Sequence, residues 1–249
     1  MLLDAHTHTD KYTESQMVAV AKQCQEYNIK MLSVSMCISS YRHTVQLSKM
    51  YPCVIPSLGI HPWKASKYCD DLSVLDKFLA ESKYIGEIGL DKKFLKYAAQ
   101  YTDQQKVFEY IVASKFVDDK FLNLHTSGAE HDVLKILEKY GRNKFIVHWY
   151  AGDLDAMDKY LSMGGYFTIG VEVLFNKHIQ EIAKRVPLDR VLVETDNPSS
   201  YSWLQGHQTG DGMPVLLFRV VEKICQLKNI DKNQLYKHLQ VNQNIILGM

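Results

Sequence analysis

Two spacings of apolar residues alternate along this chain. Short apolar runs at 1–5, 30–36, 54–59, 83–91, 121–124, 145–147, 165–170 and 190–194 have the length and composition of buried strands. Between them, apolar residues recur at helical spacing. Met17, Val20, Ala21 and Cys24 share one face, so 14–27 reads as an amphipathic helix. Its start is marked by Thr13-Glu14-Ser15-Gln16, a capping box with Thr13 as N-cap and Gln16 reaching back. Further helices are expected at about 41–50, 70–81, 102–117, 129–139, 153–163 and 178–185, then at 214–228 and 231–247. In the fourth helix, Val107, Phe108, Ile111, Val112 and Phe116 form the inner stripe.

Eight strands alternating with helices predict a parallel sheet, and eight is the number that closes a (β/α)8 TIM barrel. An open doubly wound sheet is the alternative, but no glycine-rich nucleotide loop follows the first strand. No Pro/Gly/Ser-rich linker or charge block divides the 249 residues, so one domain over 1–249 is expected.

Composition narrows the class. An apolar fraction of 46% and a charged fraction of 23% suit a soluble globular protein. No apolar run approaches membrane-spanning length, and no charged segment followed by an apolar run opens the chain, so the mature protein is expected to start at Met1. Five scattered cysteines without a C-x-x-C suit reduced thiols and a cytoplasmic location. A net charge of +1 leaves no global basic field, so a nucleic-acid partner would have to be held by a local patch.

The chemistry gathers at strand ends, where barrel active sites lie. His6 and His8 follow the first apolar run, and alternation along an extended chain lets both rings point at one spot. Imidazole pairs of this kind suit a divalent metal, although an isolated H-x-H is a weak signal. The third strand ends at His61, the fourth carries Glu87, the fifth and sixth end at His125 and His148, and Asp196 follows the eighth. The joint pattern points to a metal site. His43, His131, His178, His207 and His238 fall in expected helices or loops and are read as surface residues.

These residues stand in motifs that resemble the TatD-type metal-dependent deoxyribonucleases of the amidohydrolase superfamily. The matching segments are Asp4-Ala5-His6-Thr7-His8, Gly59-Ile60-His61-Pro62, Gly86-Glu87-Ile88-Gly89-Leu90-Asp91, His125, His148-Trp149-Tyr150-Ala151-Gly152, Glu194-Thr195-Asp196-Asn197-Pro198, and Asn242 with Ile246-Leu247; Gln104 and Phe108 also fit. The resemblance covers the whole chain in order. It implies a distorted barrel with two divalent metal ions (Mg, Mn or Zn), His6, His8 and Asp196 holding one, His125 and His148 the other, and Glu87 bridging. Asp196, Glu87 and His61 are the expected catalytic residues, and no organic cofactor is implied. The expected activity is hydrolysis of DNA, single-stranded or at ends, in the manner of a 3′–5′ exonuclease. The His-Trp-aromatic segment also resembles compact relatives carried in bacterial anti-phage cassettes.

Two departures fall on the substrate side. Family members place an arginine two residues after the fifth-strand histidine, where this chain has Ser127; they carry Arg-Asn-x-Pro where it has Asp211-Gly212-Met213-Pro214. A small ester, amide or nucleotide substrate is therefore the alternative. Trp63, Trp149 and Trp203, with Tyr150 and Tyr201 beside them, lie on the expected active rim and can stack unpaired bases or pack loops. Lys92, Lys93 and Lys96 follow Glu87 on the same rim, with Lys92 the first candidate phosphate contact.

Overall fold

Each apolar run becomes a strand: β1 (Leu2–Thr7), β2 (Ile29–Val34), β3 (Val54–Leu58), β4 (Tyr84–Gly89), β5 (Leu122–His125), β6 (Phe145–Val147), β7 (Tyr166–Ile169) and β8 (Val191–Val193). A computed structural model of the chain describes residues 1–94, 99–198, 200 and 214–249. The eight parallel strands follow one another around a closed barrel in chain order. Pairing of Asp4 in β1 with Val193 in β8 makes the closing seam and rules out the open sheet.

Nine α-helices are described: α1 (Glu14–Tyr27), α2 (Ile38–Met50), α3 (Asp76–Glu81), α4 (Tyr101–Ala113), α5 (Glu130–Lys139), α6 (Leu154–Ser162), α7 (Lys177–Arg185), α8 (Leu216–Lys228) and α9 (Lys232–Leu247). The capping box on α1 is present in full, with the Thr13 side chain accepting the Gln16 N–H. Two expectations are corrected. The stretch 70–81 is a 3-10 turn, Leu72–Leu75, running into the short α3. The helix expected to 117 ends at Ala113, because Ser114 turns extended and its hydroxyl accepts the Phe116 N–H. Val117 is buried there, and Phe116 is only half-buried.

The chain divides into two compact units. One comprises Met1–Ser33, Thr44–Ile55 and Phe167–Met249. In it α9 fastens the base of two strands. Gln243 accepts the Leu3 N–H at 2.9 Å and donates to the Met1 carbonyl at 2.8 Å. Asn242 donates to the carbonyls of Leu188 and Val191, both at 2.8 Å. Both amides are buried and would be expensive to leave unpaired, which is what keeps these bonds made.

The other unit comprises Val34–His43 and Pro56–Tyr166. Its strands approach very closely at two glycines. A Cβ on Gly59, just past β3, would lie 2.1 Å from the Glu87 nitrogen. One on Gly89, at the end of β4, would lie 1.9 Å from the His125 carbonyl oxygen. Only glycine lets backbone pass backbone at these distances.

Candidate metal centre

In the first unit, β1 carries one extra residue between its pairings Asp4↔Met31 and Thr7↔Ser33. Such a bulge re-aims side chains near a site. His6 thus lies inside the strand, His8 just beyond it, and both Nε2 atoms face one carboxylate oxygen. Asp196 Oδ1 is 3.6 Å from His6 Nε2 and 3.4 Å from His8 Nε2. Asp196 is delivered by a left-handed turn after β8 (φ +48°) and by its N–H bond to the His6 carbonyl at 2.9 Å. Asp4 braces the turn from below, accepting the Thr195 N–H at 2.9 Å and the Thr195 hydroxyl at 2.6 Å. Burial pushes the Asp4 pKa up to about 8 against the pull of those two bonds.

In the second unit, β4 also bulges, between Ile85↔Leu122 and Ile88↔Leu124. The bulge presents Glu87, whose Oε1 faces three imidazoles: His125 Nδ1 at 2.8 Å, His148 Nε2 at 2.9 Å and His61 Nε2 at 3.3 Å. Burial alone would raise the Glu87 pKa, but the charges of His61 and His148 and the hydrogen bonds of His125 and His148 hold it well below the carboxylate range. Burial likewise lowers the His125 pKa, and its bonds to Asp91 and Glu87 outweigh this and raise it.

Ligand atoms of His61, Glu87 and His125 lie within 4.8 Å of one another, close enough for one ion. Buried imidazoles converging on an ionised carboxylate form a donor set that suits a divalent transition metal. The hydrogen bonds divide the set further. His61 Nδ1 accepts the Trp63 N–H at 3.1 Å, so in the neutral ring the proton sits on Nε2, facing Glu87. In that tautomer His61 presents an N–H to Glu87, 3.3 Å away. His125 Nε2 is bonded to Asp91 Oδ2 at 3.0 Å, and its Nδ1 faces the site.

The expected substrate residues are placed unevenly. Trp63 is half-buried and its indole N–H donates to Asp91 Oδ2 at 2.8 Å, with its ring edge-on to His61. Trp149 has a left-handed backbone (φ +38°) and lines a cavity of about 150 Å³ with Lys93, Thr126, Ser127, Gly128, Glu130 and Ala151. Tyr150 does not join it: its ring is buried edge-on to Tyr160 and its hydroxyl bonds the Asp153 carbonyl at 2.5 Å, anchoring the start of α6. The Lys92 ammonium is drawn to Asp132 at 2.5 Å over the Tyr101 ring, so Lys93 replaces it as the cavity's cation. Trp203, Tyr201, Lys96, His207 and Asp211-Gly212-Met213 lie outside the described residues. His43, His131 and His178 are exposed, and His238 is half-buried.

In the sequence Asp91 stands only as the last residue of the Gly86–Asp91 motif, with no task of its own. Its signal was position: a carboxylate two residues past the end of β4. Glu130 was missed because it reaches the cavity from the first turn of α5 and stands in no strand-end pattern.

A closed barrel with histidine and carboxylate clusters at its strand ends defines a metal-dependent hydrolase. The chain belongs to the TatD family: the family described as TatD related DNase matches residues 3–248. It is 26% identical over 248 residues to an uncharacterised metal-dependent hydrolase of Buchnera aphidicola from Acyrthosiphon pisum, covering 92% of each chain. It is 30% identical over 186 residues to the deoxyribonuclease Tat-D of Schizosaccharomyces pombe, covering 68% of this chain and 59% of that one. Among solved structures, the TatD homologue YJJV of Escherichia coli K12 shares the fold with a TM-score of 0.87 at 20% identity, covering 100% of this chain and 98% of its own. An organophosphorus hydrolase of Deinococcus radiodurans shares it more loosely, with a TM-score of 0.66 at 10% identity over 99% of this chain and 92% of that one.

Proposed function

We propose that this hydrolase is a deoxyribonuclease that cleaves phosphodiesters of single-stranded DNA or DNA ends, acting as a 3′–5′ exonuclease with two divalent ions. The observation that carries the reading is the Glu87 carboxylate, buried and facing three imidazoles at the strand ends of a TatD-family barrel. In it His6, His8 and Asp196 would hold one ion and Glu87, His125 and His148 the other. Bound there, the ions supply an acidified water and positive charge for the leaving oxygen. The chain's residues do the rest. Asp196, with a fifth of its side chain exposed, accepts the water's proton. His61 donates from Nε2 and orients the water or the scissile phosphate. Lys93 meets a backbone phosphate, and Trp149 offers a face to an unpaired base. The fission-yeast relative named a deoxyribonuclease supports the substrate. Among the described residues no helix is long and apolar enough to cross a membrane. The five free thiols support a cytoplasmic site of action.

One observation favours a second reading. The cavity beside His125 and His148 presents the Glu130 carboxylate and Ser127 where the family resemblance implies an arginine. A carboxylate repels a phosphate there, which favours a small ester or amide. Parallel assays on 3′-labelled single-stranded DNA and on a panel of small esters separate the readings. DNA hydrolysis that vanishes in Glu87→Gln is the expected result; turnover of the esters alone would reject the nuclease.

A further inference from the structure

We propose that Asp91 is a positioning residue for metal binding: it fixes the tautomer of His125 so that Nδ1 keeps its lone pair for a divalent ion. The proposal rests on the metal-centre reading and is independent of the choice of DNA as substrate.

Asp91 follows β4, is fully buried, and has no part in the hydrolytic scheme above. Four nitrogens meet its carboxylate. Oδ1 accepts the backbone N–H groups of Lys93 and Phe94, both at 2.8 Å. Oδ2 accepts the Trp63 indole N–H at 2.8 Å and faces His125 Nε2 at 3.0 Å. Its own N–H donates to Gln104 Oε1 at 2.8 Å, which pins the backbone. Backbone amides and an indole can only donate, so three of the four contacts need an acceptor, and an aspartate at neutral pH meets them as a carboxylate. The fourth follows: a carboxylate with no proton to give must receive one from His125, so the His125 proton sits on Nε2. In the neutral ring the other nitrogen then carries the lone pair, 2.8 Å from Glu87 Oε1 and 3.3 Å from His148 Nε2, among the ligand atoms. With the opposite tautomer, an Nδ1–H would donate to Glu87 and close the ligand position. Buried carboxylates behind metal-bound histidines act in this way elsewhere, and their loss weakens metal binding.

Asp91→Asn is the sharp test. If the amide oxygen stays on the two backbone N–H groups, its NH2 faces Nε2 of His125. The imidazole must then accept there and carry its proton on Nδ1. Calorimetric titration of the metal-free protein with Zn²⁺ should show Kd raised roughly 10- to 100-fold. In ¹⁵N-labelled zinc-loaded wild type, His125 should retain an Nε2–H and show a metal-shifted Nδ1. Trp63→Phe removes a donor from the same oxygen but leaves the His125–Asp91 bond, so its Zn²⁺ Kd should stay at the wild-type value. Wild-type Kd in Asp91→Asn would overturn the proposal, as would a zinc-bound Nε2 in the wild-type spectrum. An equal loss of affinity in Trp63→Phe would also overturn it, by showing that Asp91 only anchors the loop. The last two measurements hold even if Asp91→Asn does not fold. DNA enters none of these measurements, so failure of the nuclease reading leaves their outcome intact.

Discussion

Replacing Gly59 by alanine should damage the site without touching a side chain in it. The added methyl would sit 2.1 Å from the Glu87 nitrogen, 2.3 Å from its carbonyl oxygen and 2.4 Å from the Gly86 carbonyl carbon. Non-bonded carbon contacts rest at roughly 3.5–4.0 Å, so β4 must retreat by more than about 1 Å. All three obstacles are backbone, and no flexible side-chain end can give way. Overpacking of this kind costs about 1–3 kcal/mol, which lowers Tm by roughly 2–12 °C in a chain of this size. The displaced residue is the one that carries the buried carboxylate, and a misplacement of about 1 Å can reduce turnover roughly 10²-fold. Scanning calorimetry, Zn²⁺ titration and hydrolysis of single-stranded DNA measure the three effects. Gly141→Ala is the control, since nothing lies within 4 Å of its Cβ and only its positive φ of 62° opposes the change. It should lose some stability and keep full activity. A Gly59→Ala protein with wild-type Tm and turnover would refute the steric argument.

Removing His61 should separate binding from chemistry. His61→Ala is expected to retain metal by elemental analysis and lose turnover, whereas His125→Ala should lose metal; equal metal loss in both would make His61 a ligand. Asp196→Asn keeps the side-chain shape but removes the base, so kcat should fall at least ~10²-fold; activity within a few-fold of wild type would move the proton acceptor elsewhere. Asp91 also shapes the acid limb of the metal-free protein. Burial raises its pKa, but bonds from His125, the Phe94 N–H and the Trp63 indole bring it to about 2, from 3.8. A folded pKa below the unfolded one contributes stability above about pH 4, here roughly 2 kcal/mol, which is lost as pH falls toward 2. Urea titrations at pH 5 and pH 2 should show a smaller difference in Asp91→Asn than in wild type; an identical difference would remove Asp91 from the acid transition.

The barrel was legible because its signal is long-range repetition: eight apolar runs at helix-separated intervals admit few arrangements. The candidate histidines and carboxylates could be read for the same reason, since each stands in or just after an apolar run. What the pattern could not carry were insertions within a strand. The bulges before His6 and at Glu87 add one residue to one partner and leave hydropathy unchanged. Side-chain competition was equally silent. Lys92 and Lys93 are identical neighbours, and their spacing does not tell that Lys92 pairs with Asp132 while Lys93 lines the cavity. Tyr150 follows a strand end as a rim residue should, yet the carbonyl of Asp153 draws its hydroxyl inward. Ser114 ends α4 through a local bond that competes with helix continuation, a contest that apolar spacing does not register.

The bonds from Gln243 to Leu3 and Met1 also set a timetable for biosynthesis. Their partners are 240 and 242 residues apart, so the opening strand leaves the ribosome long before its amide partner exists. At ~5–20 residues per second that interval is roughly 12–48 s. The unit built from 34–43 and 56–166, which holds Glu87, His125 and His148, has all of its chain by residue 166. His6 and His8 are translated first, yet their strand receives its anchor only when α9 emerges. Uptake of a metal by these two histidines would therefore wait for residue 243, and a nascent chain stalled before it would carry them without the strand anchor that Gln243 provides.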